Sequence, residues 1–296
     1  MRKLLLLSCL IVHSCLWAQY TLCASNSEEF DQFLHSPLTV QLTGCQEYDA
    51  SLKEAIKSHW HQTPVIYATD TATLEAAAST LRYVKIEIIK DGGVLRGVVY
   101  GWTLRYQNGL NMDKDPGKKG VIALVETNCG YMEHGFDCYD AEDCRYRINV
   151  TVAQLNEMVD FLKANTYKGT SWSSVYGYPS AFNRTRDAAL CGSRTLLVDR
   201  KIFNHRVTEE DFKKAYTHPC EVLDHNEYVK MIADGNTAYN YLMLDLGVRP
   251  TLAVFDPEQD RTLYLDRLYH VPLGDAAYTL DLNRAYLEDL VKAVDN

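Results

Sequence analysis

A chain of 296 residues that is 47% hydrophobic and 23% charged has enough apolar material for about two globular domains. It carries no heptad seam, glycine repeat or block of like charge, which excludes coiled coil, collagen and disorder as the dominant state. Thirty basic against 39 acidic residues, a net charge of −9, exclude nucleic acid as a main partner.

Residues 1–18 open with Arg2 and Lys3, continue through the apolar run from Leu4 to Val12, and close on Cys15-Leu16-Trp17-Ala18. A charged head, a short apolar stretch and a small exit residue are the pattern of a secretory signal peptide. The run is too short for a bilayer core of about 30 Å, and no later stretch is long enough to span one. Cleavage is expected between Ala18 and Gln19, with lipid attachment at Cys15 or Cys23 as the alternative. Removal of residues 1–18 takes two basic residues and no acidic ones, leaving 28 basic residues and a charge of −11. Seven of the nine cysteines remain, and an exported chain is free to form disulfides. An odd number leaves at least one thiol free or paired between chains.

The chain then presents one pattern twice. Thr39-Val40-Gln41-Leu42 reads as a short strand, and so does Leu196-Leu197-Val198-Asp199. Each is followed by a helix start, with Ser51/Glu54 and Thr208/Asp211 as capping boxes. Apolar residues three and four apart follow: Leu52, Ala55, Ile56 and Trp60 in one copy, Phe212, Ala215 and Tyr216 in the other. Pro64 and Pro219 stop these helices. Strands come next at Val65–Ala68 and Cys220–Leu223. Asp70 and Asp224, the latter with Glu227, are then candidate N-caps of a second helix. Strands return at Val84–Ile89 and Tyr241–Leu246. The offset between copies stays at 154–157 residues through these elements, which predicts an internal duplication.

The first copy continues with strands at Tyr100–Tyr106 and Val121–Glu126, the glycine pair Gly92-Gly93 marking a hairpin turn before them. It ends in a helix around Val152–Ala164, with Thr151/Gln154 as its capping box and Val152, Leu155, Met158, Val159 and Leu162 as its apolar stripe. The second copy has strands at Thr251–Asp256 and Arg261–Leu268 and a helix around Leu282–Val294. The expected architecture is therefore α/β (α+β): two tandem related modules, each a mixed sheet of about five strands with packed helices. Module one spans 37–165 with an insertion at about 107–149, the linker is 166–193, and module two spans 194–296.

Candidate chemistry is sparse. His59 and His61 sit two apart on a predicted helix, which projects them about 200° apart and denies them a common ion. His205, His218 and His225 fall at element ends and read as surface or capping residues. Cys129, Cys138 and Cys144 lack the tight pair of a zinc site, and the acidic residues among them lack a calcium-loop spacing. They read instead as a disulfide-stapled insertion, with Cys23, Cys45 and Cys191 as further candidate bridge cysteines and Cys220 as the free, buried thiol. Cys191-Gly192-Ser193 with a distant His could be fitted to a cysteine hydrolase, a weak pattern. No G-x-S-x-G, P-loop or G-x-G-x-x-G occurs, so no cofactor and no metal is expected. Tyr167, Trp172, Tyr176 and Tyr178 crowd a Ser- and Gly-rich linker and form the candidate binding surface; packing of the linker against the modules is the competing reading.

The stretch Leu196–Lys201 through Thr208–Tyr216, with Cys220–Asp224 and Ala238–Leu242, resembles uncharacterised secreted proteins of Bacteroidota-type bacteria. The Ala18-Gln19 junction is similar to theirs, and Asp70-Thr71-Ala72 looks like the O-glycosylation sequon of that group. More distantly, each module resembles the small α/β domain of the TolB and curli-secretion lipoprotein families. That likeness implies a fold and no activity. The reading that follows is a secreted, non-enzymatic binding protein of the periplasm or cell surface, whose partner is an envelope protein or glycan. A secreted hydrolase with a site between the modules and a structural envelope subunit are the alternatives.

Overall fold

The computed structural model describes residues 20–22, 27–89, 96–106, 121–126, 131–132, 135–136, 145–166, 187–245, 251–267, 282 and 284–295. In chain order these form β1 (Tyr20–Leu22), α1 (Ser27–Leu34), β2 (Leu38–Gln41), α2 (Gln46–His59), β3 (Val65–Ala68), α3 (Thr71–Ala76), β4 (Ser79–Ile89), β5 (Arg96–Tyr106) and β6 (Val121–Glu126). A two-stranded ribbon follows, β7 (Tyr131–Met132) with β8 (Gly135–Phe136), and then the long helix α4 (Ile148–Thr166). The second half runs β9 (Leu196–Asp199), α5 (Glu209–Ala215), β10 (Cys220–Leu223), α6 (His225–Ala233), β11 (Asn240–Asp245), β12 (Thr251–Asp256), β13 (Arg261–Arg267) and α7 (Arg284–Val294).

The protein is mixed α/β with two sheets of matching plan. Sheet two has the order β10-β9-β11-β12-β13. Its β9 is parallel to β10 and β11, while β11, β12 and β13 run antiparallel. Sheet one has the order β3-β2-β4-β5-β6 with the same directions, and β1 adds a sixth strand beside β6. Ile89 pairs with Arg96, closing β4 and β5 into a hairpin, while Gly92 and Gly93 lie outside the described residues.

Strand alternation sorts side chains onto the two faces of each sheet. In sheet one, Leu38 and Val40 of β2, Leu81 and Tyr83 of β4, and Trp102 and Leu104 of β5 join one core with α2 and α4. In sheet two, Leu196, Val198, Leu242, Leu244, Leu252 and Val254 pack with α5 and α7. The opposite face of sheet two carries Leu197, Tyr241, Met243 and Phe255, which pack against Tyr228 and Ile232 of α6 and against Tyr146, Val150 and Ala153 at the start of α4. Ala253 and Leu265 extend that contact into the core of sheet one. Helix α4 therefore lies between the sheets. Its Val152, Leu155, Met158, Val159 and Leu162 face sheet one, and Val150 and Ala153 face sheet two. A helix apolar around most of its circumference is what such a position requires.

Polar bonds also tie the halves. The backbone N–H of Thr262 donates to Glu157 Oε2 at 3.1 Å. Arg147 donates to the carbonyl of Leu244 at 3.0 Å. His59 Nδ1 lies 2.8 Å from Asp260 Oδ2. Asp260 ends the β12–β13 turn at φ 49°, a left-handed conformation that Asp tolerates better than bulkier residues.

Several helix starts differ from the sequence expectation. Thr208 and Asp211 do form a capping box, each side chain bonding the other's backbone N–H, and Asp70 caps α3 by accepting from Thr73 N–H at 2.7 Å. Ser51 is not a cap, because α2 begins five residues earlier, at Gln46. The carboxylate that stabilises its entrance is Asp49, buried in the first turns, which accepts from the N–H and hydroxyl of Thr43 and from Gly44 N–H. Gly44 stands at φ 89°, which a side chain would strain. Thr151 is likewise interior, since α4 begins at Ile148. Asp224 occupies the N-cap position of α6 without capping it; its carboxylate is drawn to Arg200 instead. The strand expected at Val84–Ile89 starts earlier, at Ser79.

The Asp211 carboxyl is held below its usual range by its bonds to Thr208. A group depressed in the folded state stabilises above its unfolded pKa and loses that contribution as pH falls through the folded value. Asp211→Asn is therefore expected to lower Tm at pH 7, with the difference from wild type closing in acid below the carboxylate range. Thermal scans across pH check this, and a difference that persists in acid contradicts it.

Candidate functional site at the carboxyl edge of sheet two

In open α/β sheets, ligands sit beyond the carboxyl ends of the parallel strands, where the strand order reverses. In sheet two that place is the end of β9, because the chain leaves β9 for β10 on one side and returns to β11 on the other. Three apolar residues anchor β9, and the fourth, Asp199, emerges at this edge only 7% exposed. Its Oδ1 accepts from Lys201 N–H at 2.9 Å, which fixes the carboxylate in the turn after the strand. Its Oδ2 lies 2.7 Å from Nδ1 of His225, the first residue of α6.

An ionised carboxylate only accepts, so Nδ1 of His225 is the donor in this pair, and in the neutral imidazole Nε2 is the acceptor nitrogen. The imidazole is 27% exposed. The ring of Tyr146 meets it edge-on, with centroids 6.5 Å apart and planes at 89°. Tyr146 accepts at its hydroxyl from Arg147 Nε, 2.8 Å away, so residues leading into α4 of the first half help seat a histidine of the second. Beside the pair, Arg200 donates to Asp224 at 2.6 Å and to Glu209 at 3.2 Å. Lys213 and then Arg200 hold the Glu209 carboxyl below its ordinary range. The edge thus offers an oriented imidazole, a guanidinium and carboxylates on strand and helix ends. It can exchange hydrogen bonds with a polar ligand, and His225 Nε2 can accept a proton.

Three other histidines also lie beside carboxylates. His218 Nε2 lies 2.9 Å from Asp295 Oδ1, tying the end of α7 to the loop before β10. Its ring lies against Gly192, so close that a Cβ there would stand 2.6 Å from Nδ1. His61 contacts Asn156 and Asp160, whereas His59 turns to Asp260, so the two have different partners. His205 is exposed. Among the described residues no group of three His, Cys, Asp or Glu side chains is placed to hold a metal ion.

Of the candidate bridge cysteines, Cys191 is corrected. It is a free thiol, fully buried among Leu196, Tyr216 and Asn240, and burial pushes its pKa up to about 12. A thiol held protonated is a poor nucleophile, so the Cys191 hydrolase pattern is not supported either. Cys220 is free and half-buried at the start of β10. Cys45 is buried at the N-cap of α2, and no disulfide joins two described cysteines. Cys23, Cys129, Cys138 and Cys144, the aromatic set Tyr167, Trp172, Tyr176 and Tyr178, and the junction Ala18/Gln19 all lie outside the described residues.

Sequence reasoning missed Asp199 and His225 as a pair. The available signal was positional: an acidic residue closing a buried strand, and a histidine opening the helix after the neighbouring parallel strand. The chain matches no family model, no curated protein and no solved structure. No helix among the described residues is long and apolar enough to cross a membrane.

Proposed function

We propose that this chain is an exported binding protein of the cell envelope, built from two modules related by duplication, that engages a polar envelope component at the carboxyl edge of sheet two. The observation that carries the reading is the polar set Arg200, Asp224, Glu209 and His225 at that edge, standing on strand and helix ends that are themselves packed into the core. Rigid placement lowers the ordering cost of binding. The shared strand order supports the duplication, and the residues 1–18 pattern supports export. The resemblance of the Ala18-Gln19 junction to secreted Bacteroidota-type proteins is in keeping with export.

A second reading is favoured by one geometry. A histidine oriented by a buried carboxylate, its Nε2 left as an acceptor, is the base half of a hydrolytic site. One pair of experiments separates the readings. Wild-type protein and Arg200→Gln are sedimented with isolated cell envelopes, and wild type and His225→Ala are assayed on p-nitrophenyl acetate and p-nitrophenyl phosphate. The binding reading expects Arg200→Gln to reduce the sedimented fraction severalfold, with equal and negligible turnover by wild type and His225→Ala. Turnover that His225→Ala abolishes selects the hydrolase. Equal sedimentation of wild type and Arg200→Gln removes the carboxyl edge as the binding surface.

A further inference from the structure

The two sheets differ at one edge. β3 ends the strand order of sheet one, and β10 ends that of sheet two. In a parallel pair, alternate residues turn their N–H and C=O toward the neighbouring strand, and the residues between turn theirs away. Leu38 N–H donates to the carbonyl of Pro64 and Leu42 N–H to that of Ala68, both at 2.8 Å. Pro64, Ile66 and Ala68 therefore face β2, while Val65, Tyr67 and the following Thr69 direct their backbone groups outward. In sheet two Leu196 N–H donates to the carbonyl of Pro219 at 2.9 Å, so the outward residues of β10 are Cys220 and Val222.

The strand registers match Val65, Ile66 and Tyr67 of β3 to Cys220, Glu221 and Val222 of β10. On β10 the edge is guarded. Arg200 Nη2 approaches the outward carbonyl of Val222 at 3.5 Å, Val222 itself is buried, and Glu221 sets a charge at an exposed position. Charge on an edge strand discourages pairing with another chain. β3 differs at each point. Leu42 stands at the register position of Arg200, and Pro64–Thr69 holds no charged residue. Ile66 and Tyr67 are 49% and 37% exposed, so two of the three large apolar residues exposed among the described residues are neighbours on this edge.

We propose that β3 is a homodimer interface, pairing antiparallel with β3 of a second copy about a two-fold axis beside Tyr67. The axis sets Tyr67 opposite its own counterpart and Val65 opposite Thr69 of the partner subunit. Every outward N–H then meets an outward C=O, so the strand is its own complement, as a two-fold interface requires. Val65 and Tyr67 share the core-side face of Leu38 and Val40, and there the β-branched Val65 and Thr69 of the two copies meet as a cross-strand pair. On the other face Ile66 comes opposite Ala68 of the partner subunit, a large side chain beside a small one. α2 flanks the Tyr67 side. Its Lys53 Nζ lies 5.6 Å from the centroid of the Tyr67 ring. The charge of Glu54, after burial, helps to push the Tyr67 phenol pKa up. The flank carries both signs, so like charge does not oppose a second copy. A strand pair this short falls below the roughly 1,000 Å² that a stable interface clears. The α2 helices alongside add to it, and the association is reversible and concentration-dependent. The contact uses none of the residues at the carboxyl edge of sheet two and stands independently of the function proposed there.

Sedimentation equilibrium of the full chain across the micromolar range tests the pairing. The mass is expected to rise with concentration from one copy, 33.7 kDa, toward two. Tyr67→Pro removes an outward N–H and keeps the ladder to β2, a change that edge strands tolerate. Ile66→Lys gives β3 the kind of guard that Glu221 gives β10. Each is expected to weaken the dimer by about tenfold or more, with unchanged circular dichroism. Glu221→Lys, which keeps a charge on the other edge, is expected to leave it as in wild type. A wild type of one-copy mass throughout overturns the pairing and leaves the edge to a strand of another protein. A dimer that either folded β3 variant leaves unaltered, or that Glu221→Lys weakens, is formed elsewhere and overturns it as well. Should Tyr67→Pro fail to fold, Ile66→Lys decides.

Discussion

Leu155→Ala is expected to destabilise the protein by about 2–5 kcal/mol and to do so for both halves together. Leu155 is fully buried in the core that α2, α4 and sheet one share. Truncation removes transfer free energy and leaves a cavity that packed neighbours fill only in part. The same helix presents Val150 and Ala153 to sheet two, so loosening α4 also loosens the cover of the second sheet. Urea unfolding followed by tryptophan fluorescence and by far-UV circular dichroism checks this. Trp60 and Trp102 report the first core, while circular dichroism reports both halves. Coincident midpoints that shift together are expected. A fluorescence shift with a separate, unmoved circular dichroism transition would show that the halves unfold independently.

Asp49→Ala is expected to cost about 3 kcal/mol, the scale for losing charge-assisted bonds while orphaning partly buried donors. Asp49 is 8% exposed. Its Oδ1 accepts from Thr43 N–H and from the Thr43 hydroxyl, both at 2.8 Å, and its Oδ2 accepts from Gly44 N–H at 3.0 Å. Alanine leaves the turn between β2 and α2 with two backbone N–H groups unmatched. Asn at this position keeps one acceptor and is expected to restore part of the loss. Denaturant midpoints for wild type, Asp49→Asn and Asp49→Ala should fall in that order. A midpoint for Asp49→Ala within error of wild type would remove the carboxylate from the account of how this helix starts.

Strand positions were legible because short apolar runs are bounded by proline, glycine and acidic residues. Val65–Ala68, Val121–Glu126, Leu196–Asp199, Cys220–Leu223 and Thr251–Asp256 stand where the pattern put them. The apolar stripe of α4 was legible from its helical spacing. Its second face was not, because Val150 and Ala153 are too small and too few to announce a partner. Caps failed where tertiary partners competed. Asp224 has the sequence of a cap, yet Arg200 lies 24 residues away in the chain and takes its carboxylate. Ser51 has the right spacing to Glu54, yet Asp49 satisfies the turn first. The Asp199–His225 pair joins residues 26 apart through two parallel strands, a distance no local motif encodes. Cys191 was placed among the bridge candidates on its position in a loop, whereas it lies in the core beneath Tyr216.

Helix α4 also sets an order of assembly. It belongs by chain position to the first half, so it is synthesised before any strand of sheet two. As the polypeptide emerges from its amino end, the early half can collapse around one flank of this helix. The other flank then waits as a sticky ledge of Tyr146, Val150 and Ala153 until Leu197, Tyr241 and Phe255 arrive to cover it. The later half thus condenses onto a template already standing, and any delay between the two leaves that ledge open to chaperones.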